Sequence, residues 1–442
     1  MQRLPGPTEK VPGALLLEFR RDPLVTLMRI SGQCGGMARF RLGFQRVYLL
    51  TKPEYIADAL VRHNNDMVKS RGLRMAKNVL GEGLLTSEGD LHDRQRRLVQ
   101  PAFRHERIAS YAAMMPGRAR SMTERWRDGE VVDIHKEMMG LTMGIVAKAL
   151  FGAEVESKAE EVAESLEAFL KNFNRVTNPL APLLERLPLP SNRRFRRGKE
   201  RLDALIYRVI REGEGKPEGS LLSALVAARG DGTTDLQIRD EMVTLFLAGH
   251  ETTANALTWG WYLLSQNPRA EARLHEELDS VLDGRLPEPD DVPRLGYTAK
   301  VLTESMRLYP PAWVVGRQTL RETEIGGHRI PAKSLLLMSQ YVMHHDPKHF
   351  PDPERFDPDR WTPEMKASLP RFAYFPFGGG PRACIGEPFA WSEGILLMAT
   401  IARDWRMSLL PGHRVALLPR LTLRPRYGMK MVLGRRPPGP QS

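Results

Sequence analysis

Between residues 236 and 266 the chain holds an amphipathic-to-apolar helical pattern without a break. At 1.5 Å per residue such a helix is about 45 Å long, enough to cross a whole domain. It needs a large body around it to bury its apolar faces, and most of the remaining sequence supplies helices. From Pro53, where Tyr55, Ile56, Ala59 and Leu60 share one face, helical periodicity dominates to about residue 310. Residues 37–51 read as one half-exposed strand, with Phe40, Leu42 and Phe44 alternating against Arg39, Arg41 and Gln45. Beyond Pro310-Pro311 come short strand-like pieces around 313–340, then an irregular Pro- and Asp-rich stretch over 344–382. A last apolar helix begins just after Cys384. Pro179, Pro182, Pro188 and Pro190, followed by Arg193, Arg194, Arg196, Arg197 and Lys199, predict a surface loop with a basic shoulder over 178–198. No repeat or low-complexity linker divides the 442 residues. The expected architecture is one domain over 1–442, mainly α with a small β-rich part. An irregular lead-in covers 1–12 and a disordered tail 435–442.

Composition removes several classes. No stretch approaches the roughly 18 consecutive apolar residues of a membrane-spanning helix. Gly13-Ala-Leu-Leu-Leu-Glu-Phe19 is short, is broken by Glu18, and lacks the small-residue cleavage pattern of a secretory leader. A cytoplasmic protein without a membrane span is expected. Two cysteines, Cys34 and Cys384, exclude a disulfide framework and leave room for one special thiol. Cys34 reads as a small buried hydrophobe. The net charge of +12 would serve nucleic acid, an anionic membrane surface or an acidic protein partner, and by default is a well-solvated surface.

Cys384 stands in Phe377-Gly-Gly-Gly-Pro-Arg-Ala-Cys-Ile-Gly386. A thiolate that ligates haem iron needs hydrogen-bond donors, close backbone approach and exclusion of water. Gly378, Gly379 and Gly380 allow the approach, Phe377 shields the sulfur, and Arg382 offers a cation to a haem propionate. A helix starting beside Cys384 turns its positive end toward the sulfur. Gly378-x-Gly380-x-x-Ala383 with Asp404 downstream also fits a relaxed dinucleotide fingerprint. Pro381 within the turn, and the lack of an evident βαβ unit, count against that.

The second constellation is Ala248-Gly-His-Glu-Thr-Thr253, near the middle of the long helix. Activating oxygen requires protons and an uncrowded face. Ala248 and Gly249 leave space, and Gly249 weakens the helix by about 1 kcal/mol relative to alanine, enough to open a water site. Thr252 donates and accepts a hydrogen bond, and Glu251 relays protons from solvent.

Taken together, these residues resemble the cytochrome P-450 family. Phe377, Gly380, Arg382, Cys384 and Gly386 fill every fixed place of its F-x-x-G-x-R-x-C-x-G loop, and Ala248–Thr252 its A/G-G-x-D/E-T motif. Glu304-Ser-Met-Arg307 and Pro353-Glu-Arg-Phe356 match its E-x-x-R and P-x-R-F elements. The resemblance implies haem b ligated by Cys384, with Ala248, Gly249, Phe377, Gly378, Arg382 and Gly386 against it. It also implies a buried structural network of Glu304, Arg307 and Arg355. His92, Arg96 and Arg317 would hold the propionates, although many members carry Trp where His92 stands. His250 is the variable position of its motif, with a structural role expected. His344-His345-Asp346 lacks further ligands at metal spacing and reads as a turn.

The activity implied is insertion of one atom of O2 into a C–H bond. The residues after 410 leave no room for a flavin domain, so a separate ferredoxin or flavodoxin is expected as donor, acting on a monomer. Arg94, Arg97, Arg104, His105 and Arg107 offer such an acidic protein a docking face; no nucleic acid is needed to explain the charge. Pocket walls are expected from Met75, Val79, Leu80, Leu84 and Leu85, from Leu245, Phe246 and Ala248, and from Trp313, Val314 and Val315. Leu308-Tyr-Pro-Pro-Ala-Trp313 and Ala248-Gly-His-Glu-Thr252 are similar to bacterial members that oxidise terpenes and carotenoids, so a terpenoid is the expected substrate. A fatty acid or steroid is the alternative. A peroxide-driven peroxygenase and a haem or lipid carrier are rival functions, and Glu251–Thr252 speaks against both.

Overall fold

Two helices, α1 (Ala14–Arg21) and α2 (Pro23–Cys34), open the fold, with Pro23 at the first helical position of α2. The Asp22 side chain caps α2 by accepting from the amides of Leu24 and Val25 at 3.1 Å. A computed structural model describes residues 4–7, 13–152, 190–212, 220–227, 229 and 233–437. The single strand expected over 37–51 is a hairpin, β1 (Met37–Leu42) and β2 (Gln45–Leu50). Gly43 at φ 61° begins its two-residue turn, a geometry that sets Leu42 opposite Gln45. After β3 (Met67–Lys69) come α3 (Gly89–Val99), α4 (His105–Ala112) and α5 (Met115–Thr123). Then follow β4 (Val131–Asp133), α6 (Ile134–Phe151) and α7 (Pro190–Glu212). Residues 178–189 of the expected loop lie outside the described residues. The basic run after them is helical, because Pro190 serves as the first residue of α7 and does not break it.

The long helix is α8 (Asp235–Gln266). Thr234 and Gln237 close a capping box at its start, and it is buried along most of its length from Ile238 to Leu264. Helix α6 packs beside it. A Cβ on Gly249 would stand 3.0 Å from Val146 of α6, so glycine there permits close helix contact. Helix α8 is α-helical throughout, with no break at Gly249. His250 takes the structural role expected of it: its Nδ1–H donates to the Phe246 carbonyl at 2.7 Å. Its own carbonyl accepts from Thr142 of α6 at 2.9 Å.

Helices α9 (Pro268–Leu282) and α10 (Gly296–Leu308) precede β5 (Val315–Thr319), β6 (Thr323–Ile325), β7 (His328–Ile330) and β8 (Leu335–Met338). Strands β1-β2-β8-β5-β3 form one sheet in that order, with β2 and β8 parallel. Helix α11 (Glu387–Asp404) leads into β9 (Trp405–Leu409), β10 (Leu417–Pro419), β11 (Leu423–Pro425) and β12 (Lys430–Arg435). Arg435, expected in the disordered tail, ends β12, and Arg436 is tied to the Asp404 carbonyl at 2.8 Å. Residues 438–442 lie outside the described residues.

One buried ion network joins α10 to the stretch before α11. Arg307 meets Glu304 through two bonds of 2.8 and 2.9 Å, and both side chains are fully buried. The arginine also donates to the carbonyls of His344, Pro353 and Arg355 at 2.9, 2.6 and 3.0 Å. Arg355 therefore contributes only its backbone, and its side chain is exposed. The place expected for it belongs to Arg360, whose Nε lies 2.9 Å from Glu304, with the Trp361 indole N–H at 2.9 Å. Every strong donor and acceptor of this pair is used, which is the condition under which a buried ion pair is tolerated. Glu304→Gln is expected to lower stability by about 3–5 kcal/mol. Arg360→Ala should weaken the same network, whereas Arg355→Ala should stay within about 0.5 kcal/mol of the parent. Denaturant midpoints of the three variants check this order.

Candidate active site

The loop 377–386 folds back on itself before α11. The Cys384 amide donates to the Phe377 carbonyl at 2.9 Å, and the Ala383 amide to that of Gly380 at 3.0 Å. Gly380 has φ 69°, and a Cβ there would fall 2.0 Å from the Leu60 carbonyl, so no other residue fits. The Phe377 ring packs against Trp391 at 5.8 Å between centroids. Cys384 lines an interior cavity and is exposed there. Burial pushes the thiol pKa up, while the amides of Gly386 and Glu387 at the start of α11 hydrogen-bond the sulfur and act the other way.

At one edge of the cavity basic side chains crowd together. Lys69 and Arg317 stand directly opposite each other in the β3–β5 ladder, and both are buried. His92 and Arg96 come from α3, and Arg382 from the cysteine loop; all of these residues line the cavity. Glu88 is the acidic partner among them, 2.6 Å from Arg382 and accepting the Lys69 amide at 2.6 Å. Burial and the neighbouring Arg382 bring Lys69 down to about 7 and Arg317 to about 10. Burial, then Lys69 and Arg382, bring His92 to about 3. His92 Nε2, Arg317 Nε and Arg382 Nε are buried without partners. Like charges facing one another across a ladder oppose folding unless anions join them. Two carboxylates of a flat macrocycle are what this edge lacks, so haem fits the residues present. Sequence reasoning missed Lys69, because a lysine in a three-residue strand carries no motif.

On α8, Thr252 lines the cavity and donates to the Ala248 carbonyl at 2.8 Å. Ala248 and Gly249 line it too. Glu251 does not. Its Oε1 accepts from Arg424 Nε at 2.5 Å and from the Thr422 hydroxyl, and Oε2 is buried without a partner. Burial works to raise the Glu251 pKa, but Arg424 and Thr422 together hold it below the usual carboxylate range. Thr422 also accepts from Asn255 at 3.1 Å, and Asn255 meets His135 at 3.2 Å. The structure thus sets Thr252 in the cavity and Glu251 behind it, on the β10–β11 side.

The cavity measures about 580 Å³. Leu84, Leu85, Leu245, Val314 and Val315 line it. Leu80 and Phe246 are core residues instead, and Trp313 turns away to donate to the Arg420 carbonyl at 2.9 Å. Met75 is not among the walls, and the Val79 side chain lies outside the described residues. Walls that the sequence did not single out are Leu73, Leu421 and the α6 residues Val146, Ala149 and Leu150. The spacing of Val146 and Leu150 fits a wall and a core stripe equally well. Of the expected turn, His344 is fully buried and accepts the Phe375 amide at 3.1 Å, and His345 Nδ1 donates to the Tyr341 carbonyl at 2.7 Å.

The cytochrome P-450 family model matches residues 5–431. Cyclooctatin synthase of Streptomyces melanosporofaciens is 43% identical over 430 residues, covering 95% of this chain and 92% of that protein. Cyclooctat-9-en-7-ol 5-monooxygenase of the same organism is 38% identical, covering 92% and 91%. Pentalenene oxygenase of Streptomyces avermitilis is 34% identical, covering 96% and 95%. The crystal structure of the cytochrome P450DA heme domain superimposes with a TM-score of 0.87 at 24% identity, over 98% of both chains, and so shares the fold. A thiol at a helix start, a cationic edge lacking two carboxylates and a threonine-lined cavity thus meet in one chain, which belongs to the cytochrome P-450 family and is a haem-dependent monooxygenase.

Proposed function

We propose that this enzyme hydroxylates a terpenoid hydrocarbon skeleton, with electrons from a ferredoxin or flavodoxin. The observation that carries the substrate class is the cavity wall. Leu84, Leu245, Val146, Leu150, Val314 and Leu421 surround the space next to Thr252, and selection among ligands there rests on shape. The printed names of the relatives point the same way, to cyclooctatin, cyclooctat-9-en-7-ol and pentalenene. For the electron donor, exposed Arg94, Arg97, Arg104, His105 and Arg107 form a basic face on and beside α3 and α4. An acidic redox protein complements that face.

Haem, when bound, supplies the oxygen chemistry. The chain's own residues hold and supply it. Cys384 is the iron ligand, and the Gly386 and Glu387 amides moderate its charge. Lys69, His92, Arg96, Arg317 and Arg382 hold the propionates. Thr252 places a hydroxyl at the cavity wall, and Glu251, held by Arg424 and Thr422 behind it, is the group that would take up and return protons on that side of the helix. Because Arg424 stabilises the carboxylate, Glu251 stays charged well into the acid range and acts first as an acceptor.

Terpenoid hydrocarbons are expected to displace iron-bound water in an optical titration, and turnover with a ferredoxin system should give a hydroxylated product. In Thr252→Ala the product formed per reducing equivalent should fall by about an order of magnitude or more, with peroxide in its place. Arg424→Met removes the cation that lowers the Glu251 pKa, so the acid limb of the rate profile should move to higher pH. Burial brings Lys69 down to about 7 even with Glu88 beside it, and a bound carboxylate raises that value. Haem affinity of the apoprotein is therefore full below pH about 7 and declines as the pH rises above it. Lys69→Met should flatten the profile, as read from haem transfer to an acceptor protein.

A further inference from the structure

Four side chains behind α8 form a line of hydrogen bonds that runs in one direction. His135, the second residue of α6, is partly exposed, and its Nε2 meets Asn255 Oδ1 at 3.2 Å. An amide oxygen only accepts, so Nε2 carries the hydrogen. Asn255 is fully buried one turn beyond Glu251 on α8, and its Nδ2 donates to the Thr422 hydroxyl at 3.1 Å. That hydroxyl in turn donates to Glu251 Oε1. Every donor thus points toward the carboxylate, and bonds aligned in this way polarise and strengthen one another. The turn between β10 and β11 holds Thr422 firmly in place. The Arg420 amide donates to the Thr422 carbonyl at 3.0 Å, and the Leu423 amide to the Pro311 carbonyl at 2.9 Å. The indole N–H groups of Trp313 and Trp259 donate to the carbonyls of Arg420 and Leu423 at 2.9 and 3.0 Å.

The two oxygens of Glu251 are left unequal. Oε1 accepts from Thr422 and from Arg424 Nε, whereas Oε2 is buried without a partner. The other titratable groups facing the line are His250 on α8 and Asp133. His250 is tied to the Phe246 carbonyl, and Asp133 accepts the amides of His135 and Met429 at 3.2 and 2.9 Å. A proton arriving at Oε1 meets two donors already aimed there; one arriving at Oε2 meets none. We propose that His135, Asn255 and Thr422 are positioning residues for Glu251, in the proton role proposed above: they hold Oε1 as an acceptor and leave Oε2 as the atom that is protonated. An amide passes no proton along such a line without tautomerising, so the line orients and does not conduct. Of its four members His135 alone is within reach of solvent, so the hydrogen that sets its direction lies at the surface end.

The test is infrared spectroscopy of the haem-loaded full chain as a function of pH. It follows the carbonyl band of the protonated carboxyl, identified by its loss in Glu251→Gln. Thr422→Val keeps the side-chain volume and removes the donor, so Glu251 is expected to bind its proton about tenfold more tightly. The band then appears at higher pH and, with one donor fewer on Oε1, at higher frequency. Thr422→Ser should match the parent. Asn255→Leu and His135→Met should each raise the proton affinity about two- to threefold, and neither should do so in the Thr422→Val background, because both act through that hydroxyl. An unchanged carbon monoxide difference spectrum shows that a variant keeps the haem site. Thr422→Val titrating with the parent, or an Asn255→Leu effect that persists in the double variant, would overturn the inference. Turnover of Glu251→Gln at the parent's rate would instead refute the proton role of Glu251, on which the infrared titration does not depend.

Discussion

Buried positive charge without matching negative charge is the constraint around which this molecule is arranged. Lys69, Arg317 and Arg382 are enclosed at one edge of the cavity, with Glu88 as their acidic partner among the described residues. Removing a cation from water costs several kcal/mol unless an anion accompanies it. In the function proposed above, a dicarboxylate completes this set of three. Folding and cofactor binding are consequently linked, since whatever binds the folded state alone stabilises it by mass action. The strand pair β3–β5, the α3 helix and the cysteine loop all contribute to that edge.

The ion network at Glu304 is the opposite case. There the polar groups find their partners within the chain, and each oxygen of Glu304 has at least two donors counting Arg307, Arg360, Trp361 and the Asp357 amide. Such a network needs no ligand. It holds the segment preceding the cysteine loop against α10 whether or not the cavity is filled. The fold thus separates a self-sufficient frame from an electrostatically incomplete site, and the cysteine lies between the two.

What could be read in the sequence was what lies close together along it. The cysteine loop, the Ala248–Thr252 stretch and the Glu304–Arg307 pair are each formed within a few residues, so backbone geometry alone relates their members. The arginine opposite Glu304 was misassigned to Arg355 because spacing does not show which of two nearby arginines turns inward; Asp357, Pro358 and a turn of 3-10 helix bring Arg360 round. Lys69 carries no motif, and its neighbours at 88, 317 and 382 are distant in the chain. Trp313 was expected in the wall, but an indole N–H must find a partner when buried, and the Arg420 carbonyl draws the ring aside. The hairpin at 37–50 was read as one strand because the alternation continues through Gly43, whose positive φ is invisible to a hydrophobic pattern.

Helix α8 shows why the two members of the acid–alcohol pair do different work. Adjacent helical residues point about 100° apart, so Thr252 faces the cavity while Glu251 turns toward β11. In that position the carboxylate is buried, is charged by Arg424, and is linked through Thr422 and Asn255 to His135. A charged acid opening into an apolar cavity would disfavour a hydrocarbon ligand, since desolvating it costs far more than an apolar contact returns. Placing the acid behind the helix keeps its charge off a wall to which α8 contributes only the neutral polar side chains of Thr244, Thr252 and Thr253. For the function proposed above, this arrangement would reconcile two requirements that conflict at a single surface: a dry space for a hydrocarbon, and a nearby source of protons.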